Sequence, residues 1–203
     1  SCSSHNMSSE KQFRNPTEYG SPKPMTATFT ATGGASVLLS NKPSKVRVVN
    51  GLIGTIVDYN QKDAFNMGAA MAGAAADTLY KYLMETNTKA SDYDLILTGD
   101  LGKYGKEILK DLMLNEYNID LSKNYNDCGT MLYDLEEQKE VMAGGSGPVC
   151  SALVNYSTIL KDLMNNKYKK VLLIATGALF SPIMLYQKEN ILSIANLICL
   201  EAI

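Results

Sequence analysis

The chain has 203 residues, of which 45% are hydrophobic and 20% are charged, and its formal net charge is -2. This composition is typical of a globular protein with a sizeable core. The basic residues are scattered, which argues against a nucleic-acid partner, and no run of about 18 apolar residues predicts a membrane span.

The cysteine and histidine content limits the metal and redox chemistry. The four cysteines are Cys2, Cys128, Cys150 and Cys199, and they form no CxxC pair. Together with a single histidine, His5, this spacing predicts free thiols without a disulfide framework or a zinc site. We therefore expect no metal and no cofactor.

The first 60 residues are predicted to be mainly extended. A short helical turn is predicted at residues 8–13, before Pro16, because a residue that precedes proline is pushed out of the helical region. Strands are predicted at residues 26–32, 35–40 and 45–59 from their content of β-branched and apolar residues. Gly33 and Gly34 are expected to interrupt the first two strands, and residues 35–40 are expected to be buried.

A helix is predicted at residues 67–85, with Asn66 as its N-cap. Residues 68–76 are glycine, alanine and methionine, so this half of the helix has no polar side. A helix of that kind is buried on all sides. We expect it to lie between layers of sheet.

The rest of the chain alternates between strand and helix patterns. Strands are predicted at residues 94–98, 171–175 and 194–200, and helices at 104–117 and 148–163. Ser146 is the predicted N-cap of the last helix, with Pro148 in its first turn. Such alternation predicts the α/β class.

A glycine-rich segment before that last helix is the first candidate site. Gly144, Gly145 and Ser146 precede predicted free N–H groups, which bind carboxylate or phosphate at helix starts. A tight turn that needs glycine for packing explains the same residues. The segment is not a P-loop, because the Lys-Ser/Thr ending is missing.

Two further polar segments are candidates for lining a pocket. Asn126, Asp127 and Cys128 form one cluster, for which a solvated loop with a buried cysteine is an equal alternative. The other segment is formed by Cys2, Ser3, Ser4 and His5. A Cys–His dyad within the second segment is disfavoured, because nucleophile and base normally come from separate segments.

Eight segments of this chain resemble the stage V sporulation protein AD family in the same order. They are SSHN (3–6), EKQFR (10–14), PTEYG (16–20), NMGAAMA (66–72), TGDLG (98–102), NYNDCG (124–129), AGGSG (143–147) and ATGALFSP (175–182). The resemblance implies a thiolase-like fold, in which two similar halves stack sheets around buried helices. Family members are longer, so we expect a fragment with residues 1–60 ending the first half and residues 61–203 forming the second.

The same resemblance implies a role in endospore formation. Family members bind dipicolinic acid and support its uptake together with membrane proteins of the same sporulation transport system. It implies a location at the cytoplasmic face of, or peripheral to, the spore inner membrane, and the formation of a homodimer. The predicted dipicolinate-binding residues are Cys2, Ser3, Ser4, His5, Asn126, Asp127, Cys128, Gly144, Gly145 and Ser146.

Thiolase chemistry is not expected to survive in this chain. Thiolases use a histidine in a segment similar to residues 143–147. This chain has Val141 and Met142 where that histidine would lie, and it has no histidine after His5. Without that group, condensation loses a base or oxyanion donor. The expectation is therefore a non-catalytic binding protein. The alternatives are a residual acyltransferase or thioesterase, using Cys128 or a cysteine of the expected missing part, and a mainly structural docking partner.

Overall fold

The structure is a computed structural model that describes residues 1–6 and 24–203. The strands are β1 Cys2–His5, β2 Phe29–Thr30, β3 Gly33–Ser36, β4 Val46–Leu52, β5 Leu95–Thr98, β6 Tyr125–Asp127, β7 Gly145–Ser146, β8 Lys170–Ala178 and β9 Ser193–Ala202. The helices are α1 Met67–Thr86, α2 Gly102–Tyr117, α3 Cys128–Leu132, α4 Cys150–Val154, α5 Leu160–Met164 and α6 Pro182–Tyr186, and a π-helical turn at Asn155–Ile159 joins α4 to α5. The helical turn predicted at residues 8–13 lies outside the described residues.

A five-stranded mixed sheet forms the centre of the described structure, with the strand order β4-β9-β8-β5-β6. Strands β8, β5 and β6 are parallel, whereas β9 runs antiparallel to both β8 and β4. All four residues of β5 are buried, as expected for a parallel strand covered on both faces. The predicted α/β class is confirmed.

Helix α1 confirms the predicted buried helix. It begins at the predicted residue and ends one residue later than predicted. The side-chain oxygen of Asn66 accepts the N–H of Ala69 at 3.1 Å, so the predicted N-cap is correct. The helix packs on the sheet through Met71, Leu79 and Leu83. It crosses α2 closely, because a Cβ on Gly68 would lie 2.9 Å from the Cα of Gly105.

The structure shows one of the two predicted sheet layers around α1. Its small residues leave room for the ring of Tyr59, which a Cβ on Gly73 would overlap at 2.3 Å. In residues 1–6 and 24–203, one five-stranded sheet, α2 and the Tyr59 segment cover this helix. The thiolase-like arrangement therefore stays a prediction.

The opposite face of the sheet is covered by the α4–α5 segment. Ile159 and Leu163 of this segment pack against Leu97 of β5 and Leu200 of β9. Each face of the sheet thus carries its own apolar cluster. The strands β5, β8 and β9 are held between them.

The structure contradicts the prediction of a buried strand at residues 35–40. Strand β3 ends at Ser36 and pairs antiparallel with β1 near the surface, and the side chains of Leu38 and Leu39 are 89% and 67% exposed. Gly33, predicted to break the strand, belongs to it and lies over Leu153, to which a Cβ would approach within 3.1 Å. A Cβ there would require the end of the Leu153 side chain to shift by a few tenths of an ångström.

The other early strands are shorter than predicted. Of the strand predicted at residues 26–32, only β2 forms regular strand pairs. Of the strand predicted at residues 45–59, β4 covers the part up to Leu52, with a register shift between Val48 and Asn50. The predicted boundary between residues 60 and 61 stays a prediction. Strands β4 and β9, which lie on either side of it in sequence, are neighbours in the same sheet.

Candidate functional site

The polar residues gather where the parallel strands end. Thr98 closes β5, Asp127 closes β6, and Thr176 lies near the end of β8. The carboxyl ends of parallel strands meet at one edge of a sheet, which is where α/β proteins commonly bind ligands. This edge is the candidate site.

Asp127 is the most deeply buried polar group of the site, with no exposed surface. Its Oδ2 accepts the Thr98 hydroxyl at 2.7 Å and the N–H of Leu101 at 2.9 Å, and its Oδ1 accepts the N–H of Gly102 at 2.9 Å. Burial raises the pKa of Asp127 to about 6, although these donors stabilise the ionised form and lower the pKa. The carboxylate fixes the start of α2 to the end of β6.

Asp100 joins three segments around the turn that follows β5. Its Oδ2 accepts the Ser146 hydroxyl at 3.1 Å and the N–H of Gly147 at 3.0 Å. Its Oδ1 accepts the Thr176 hydroxyl at 3.3 Å. The carboxylate therefore rests on donors from the 146–147 turn and from β8.

The glycine-rich segment forms a turn with two positive φ angles, +116° at Gly144 and +100° at Gly147. Between them, β7 pairs parallel with β2, and Thr30 lies opposite Ser146. The predicted N-cap role of Ser146 is wrong, because its hydroxyl donates to Asp100 and α4 begins only at Cys150. The turn still presents an N–H group and a hydroxyl that bind a carboxylate.

Strand β1 lies beside this turn. Ser3 donates its hydroxyl to the carbonyl of Pro148 at 2.7 Å. The imidazole of His5 lies next to Gly147, with its Cδ2 3.7 Å from the position that a Cβ would take. The alternate residues Cys2 and Ser4 are exposed, as expected for the opposite face of a strand.

The Asn126–Cys128 segment divides between two environments. The side-chain oxygen of Asn126 accepts the Lys106 ammonium at 2.7 Å and the Thr130 hydroxyl at 3.2 Å. Cys128 is fully buried, and its Sγ lies 3.9 Å from the Nδ2 of Asn155 in the π-helical turn. Burial raises the pKa of the Cys128 and Cys150 thiols well above the usual range, so both are neutral at physiological pH.

The structure brings the predicted segments close together. Only some of their side chains face the glycine-rich turn. Gly129, next to Cys128, contacts the glycine-rich turn so closely that a Cβ on it would lie 2.3 Å from the Gly145 carbonyl. Ser3 and His5 reach the same turn, while Cys2 and Ser4 do not face it. Asn126 is engaged with Lys106 instead.

Sequence reasoning missed the acceptor at the centre of the site. Asp100 lies in the TGDLG segment, two residues after the end of the buried strand β5, and that position is the signal that could have identified it. Thr30 was also missed. Its hydroxyl is buried and has no hydrogen-bond partner in the part of the chain that the structure describes, a property shared there with the Asn155 side-chain oxygen.

Two features are absent from the described residues. No group of three or more histidine, cysteine, aspartate or glutamate side chains there is arranged to hold a metal ion. No helix there combines the length and apolar character that crossing a bilayer requires.

The fold and site define an α/β protein with hydroxyl and N–H groups that hold carboxylates at the ends of parallel strands. The family model of stage V sporulation protein AD matches residues 1–201. The stage V sporulation protein AD of Bacillus subtilis (strain 168) is 47% identical over 199 residues, which are 98% of this chain and 58% of that relative. The chain belongs to the stage V sporulation protein AD family, and this membership implies a role in sporulation.

Proposed function

We propose that this chain forms part of a non-catalytic protein that binds dipicolinic acid and supports its uptake into the developing endospore. The observation that carries the proposal is the group of donors around Asp100. Ser146, Gly147 and Thr176 direct two hydroxyls and one N–H toward a single carboxylate. Neutral donors of this kind are suited to holding an anionic ligand at a partly desolvated site.

A planar dicarboxylate needs donors at both of its ends. The Gly147 turn supplies one group of donors, and His5 lies beside the same turn. The described site also contains the carboxylates of Asp100 and Asp127, which oppose a second negative charge. The ligand must therefore make most of its contacts on the His5 and Gly147 side.

The thiols favour binding over residual acyl transfer. The thiolate is the nucleophilic form of cysteine, and burial raises the pKa of both Cys128 and Cys150. An acyltransferase based on either thiol would need a structural change that exposes and activates it.

The chain spans 58% of the length of its Bacillus subtilis relative, so partners and location belong to the proposal. We propose association with membrane proteins of the same sporulation transport system, at or near the spore inner membrane. A homodimer is part of the same proposal. These interactions would bring a dipicolinate-binding protein to the membrane that the ligand crosses.

The first test is calorimetric titration of the full-length protein with dipicolinate, with benzoate and acetyl-CoA as comparison ligands. We expect saturable binding of dipicolinate and none of acetyl-CoA. Binding of acetyl-CoA without dipicolinate would replace the proposal with the acyltransferase alternative.

A variant locates the ligand within the protein. Ser146→Ala removes one donor to the carboxylate position and should weaken dipicolinate binding by up to about tenfold, the typical effect of losing a charge-assisted hydrogen bond. Asp100 loses the same donor in the free protein, which offsets part of the effect. Ser157→Ala is the matched control, because that hydroxyl donates to the Leu153 carbonyl on an exposed helical turn. Equal affinities of the two variants would place the ligand elsewhere.

A further inference from the structure

Asp127 and Asp100 bring two carboxylates to the turn that follows β5. The N–H of Leu101, the residue after Asp100, donates to Asp127 Oδ2 at 2.9 Å. Asp100 in turn accepts the N–H of Gly147 at 3.0 Å, on the side where the proposed ligand binds. An anion on that side therefore adds a further negative group to this end of the sheet.

The Asp127 side chain is placed to respond to such an added charge. It has no exposed surface, and water and salt screen charges weakly at a buried position. Burial already raises the pKa of Asp127 to about 6, and the charge of Asp100 makes a smaller contribution in the same direction. A ligand anion acts as Asp100 does and favours the protonated form.

The ionisable groups around Asp127 are mostly neutral or negative. They come from its own segment, the 98–102 turn, α4 and α2, and are Tyr125, Cys128, Asp100, Cys150, Glu107 and Lys106. Burial raises the pKa of the tyrosine and of both thiols, so these three groups are neutral at physiological pH. The Lys106 ammonium donates to the side chain of Asn126 at 2.7 Å. A proton is therefore the counter-charge that Asp127 can gain most directly.

The hydroxyl groups beside Asp127 can accommodate that proton. The Thr98 hydroxyl lies 2.7 Å from Asp127 Oδ2 and 2.8 Å from the Tyr125 hydroxyl, and either hydroxyl can be the donor in the second contact. When Asp127 is ionised, Thr98 donates to it. When Asp127 is protonated, the carboxyl group donates to Thr98, whose own proton turns to Tyr125. The contact between Thr98 and Asp127 thus persists in both protonation states.

We propose that Asp127 is a positioning residue that takes up a proton when dipicolinate binds, so that binding weakens as pH rises. This inference rests on the proposed function, because it assigns the pH dependence of the same site. The proton comes from the buffer and binds Oδ2, while Oδ1 continues to accept the N–H of Gly102. Asp127 thereby loses its charge and still holds the turn that carries Asp100.

The test is calorimetric titration of the full-length protein with dipicolinate between about pH 6 and about pH 8, where the carboxyl groups of the ligand stay ionised. We expect the affinity to fall about five- to tenfold across this range. Titrations at about pH 6.5 in buffers with different ionisation enthalpies should show uptake of about half a proton per ligand. An affinity that stays constant or rises with pH overturns the inference.

Asp127→Asn imitates the protonated carboxyl group, because it is neutral and keeps one acceptor oxygen. At about pH 8 it should bind dipicolinate about as tightly as the unsubstituted protein does at about pH 6, with less than about threefold change across the range. A merely structural role predicts weaker binding at every pH. Asp94→Asn is the matched control, because this carboxylate also accepts two backbone N–H groups, at 2.6 Å and 2.9 Å, but lies before β5 at the opposite end of the strand. Its pH dependence should equal that of the unsubstituted protein.

Infrared difference spectra of the unsubstituted protein identify the group that takes the proton, whether or not the Asp127 variant folds. Dipicolinate binding should produce a band of a protonated carboxyl group, and carbon-13 labelling of the aspartates should shift it. Proton uptake without this band would assign the proton to another group such as His5, which lies beside Gly147, and would overturn the role of Asp127. A band that persists in Asp127→Asn would assign it to Asp100 and overturn that role equally.

The outcomes separate this inference from the proposed function. Dipicolinate binding without proton uptake overturns the role of Asp127 and leaves the dipicolinate proposal standing. Absence of dipicolinate binding at every pH overturns both.

Discussion

The carboxylate of Asp127 binds the first turn of α2, where its Oδ1 accepts the backbone N–H of Gly102 at 2.9 Å. The first N–H groups of a helix have no partner within the helix, and Asp127 provides one from another strand. It also accepts the N–H of Leu101. A single buried side chain thus connects β6, the end of β5 and α2.

Replacing Asp127 with alanine should strongly destabilise the protein. Asp127→Ala leaves the buried N–H groups of Leu101 and Gly102 and the Thr98 hydroxyl without this acceptor, and we expect a loss of about 3–5 kcal/mol in the free energy of unfolding. Urea unfolding of the full-length protein measures this loss in the free energy of unfolding. Asp120→Ala is the control, because Asp120 caps Ser122 in an exposed loop. A similar loss in both variants would contradict the prediction.

The stability of the protein should depend on pH through the same residue. Burial raises the pKa of Asp127 to about 6 in the folded protein, whereas the unfolded chain releases this proton at about pH 4. Between these values the folded state binds more protons, so the free energy of unfolding falls as pH rises, by up to about 3 kcal/mol. Unfolding at about pH 4 and about pH 7 should show a smaller decline in Asp127→Asn than in the unsubstituted protein. Equal declines would mean that Asp127 ionises normally.

Gly144→Ala should destabilise the turn that carries the candidate site. Gly144 has a φ of +116°, and a Cβ there would lie 2.6 Å from the carbonyl oxygen of Gly129. Strain and overlap with the backbone should together cost at least about 2 kcal/mol. In the control Gly34→Ala, the Cβ would lie 3.7 Å from the Cβ of Ser4, and we expect a change below about 0.5 kcal/mol. Thermal unfolding of both variants distinguishes them.

The thiols should differ sharply in reactivity. Cys2 is exposed, while Cys128 and Cys150 are buried and have raised pKa values. Iodoacetamide at about pH 8 should therefore modify Cys2 in the native protein and leave the other two unmodified until denaturant is added. Mass spectrometry of the peptides gives the result for each cysteine. Rapid native modification of Cys128 would favour the acyltransferase alternative.

The helices and strands were predicted best where nearby residues mark their ends or their burial. Asn66 and the alanine run define α1, and apolar β-branched runs define β5 and β8, because capping and burial depend on nearby residues. The Asp100 contacts could not be predicted in this way. Asp100 and Thr176 are 76 positions apart, and only the fold brings them together.

The same limit explains the errors at Ser146 and at residues 35–40. Ser146 has the residue type and spacing of an N-cap, yet its hydroxyl donates to a carboxylate 46 positions earlier. Residues 35–40 have an apolar pattern, but β3 pairs with β1 near the surface. In both cases, the partner that decides the structure is distant in sequence.

The position of β9 between β4 and β8 has a consequence for the newly made protein. Val46 pairs with Ala202, so β4 leaves the ribosome long before its neighbour in the sheet exists. At roughly 5–20 residues per second, synthesis of the intervening chain takes on the order of 10–30 s. During that interval, the backbone N–H and C=O groups of β4 that later pair with β9 have no strand partner and are open to other nascent chains. Chaperones then have their greatest opportunity to act.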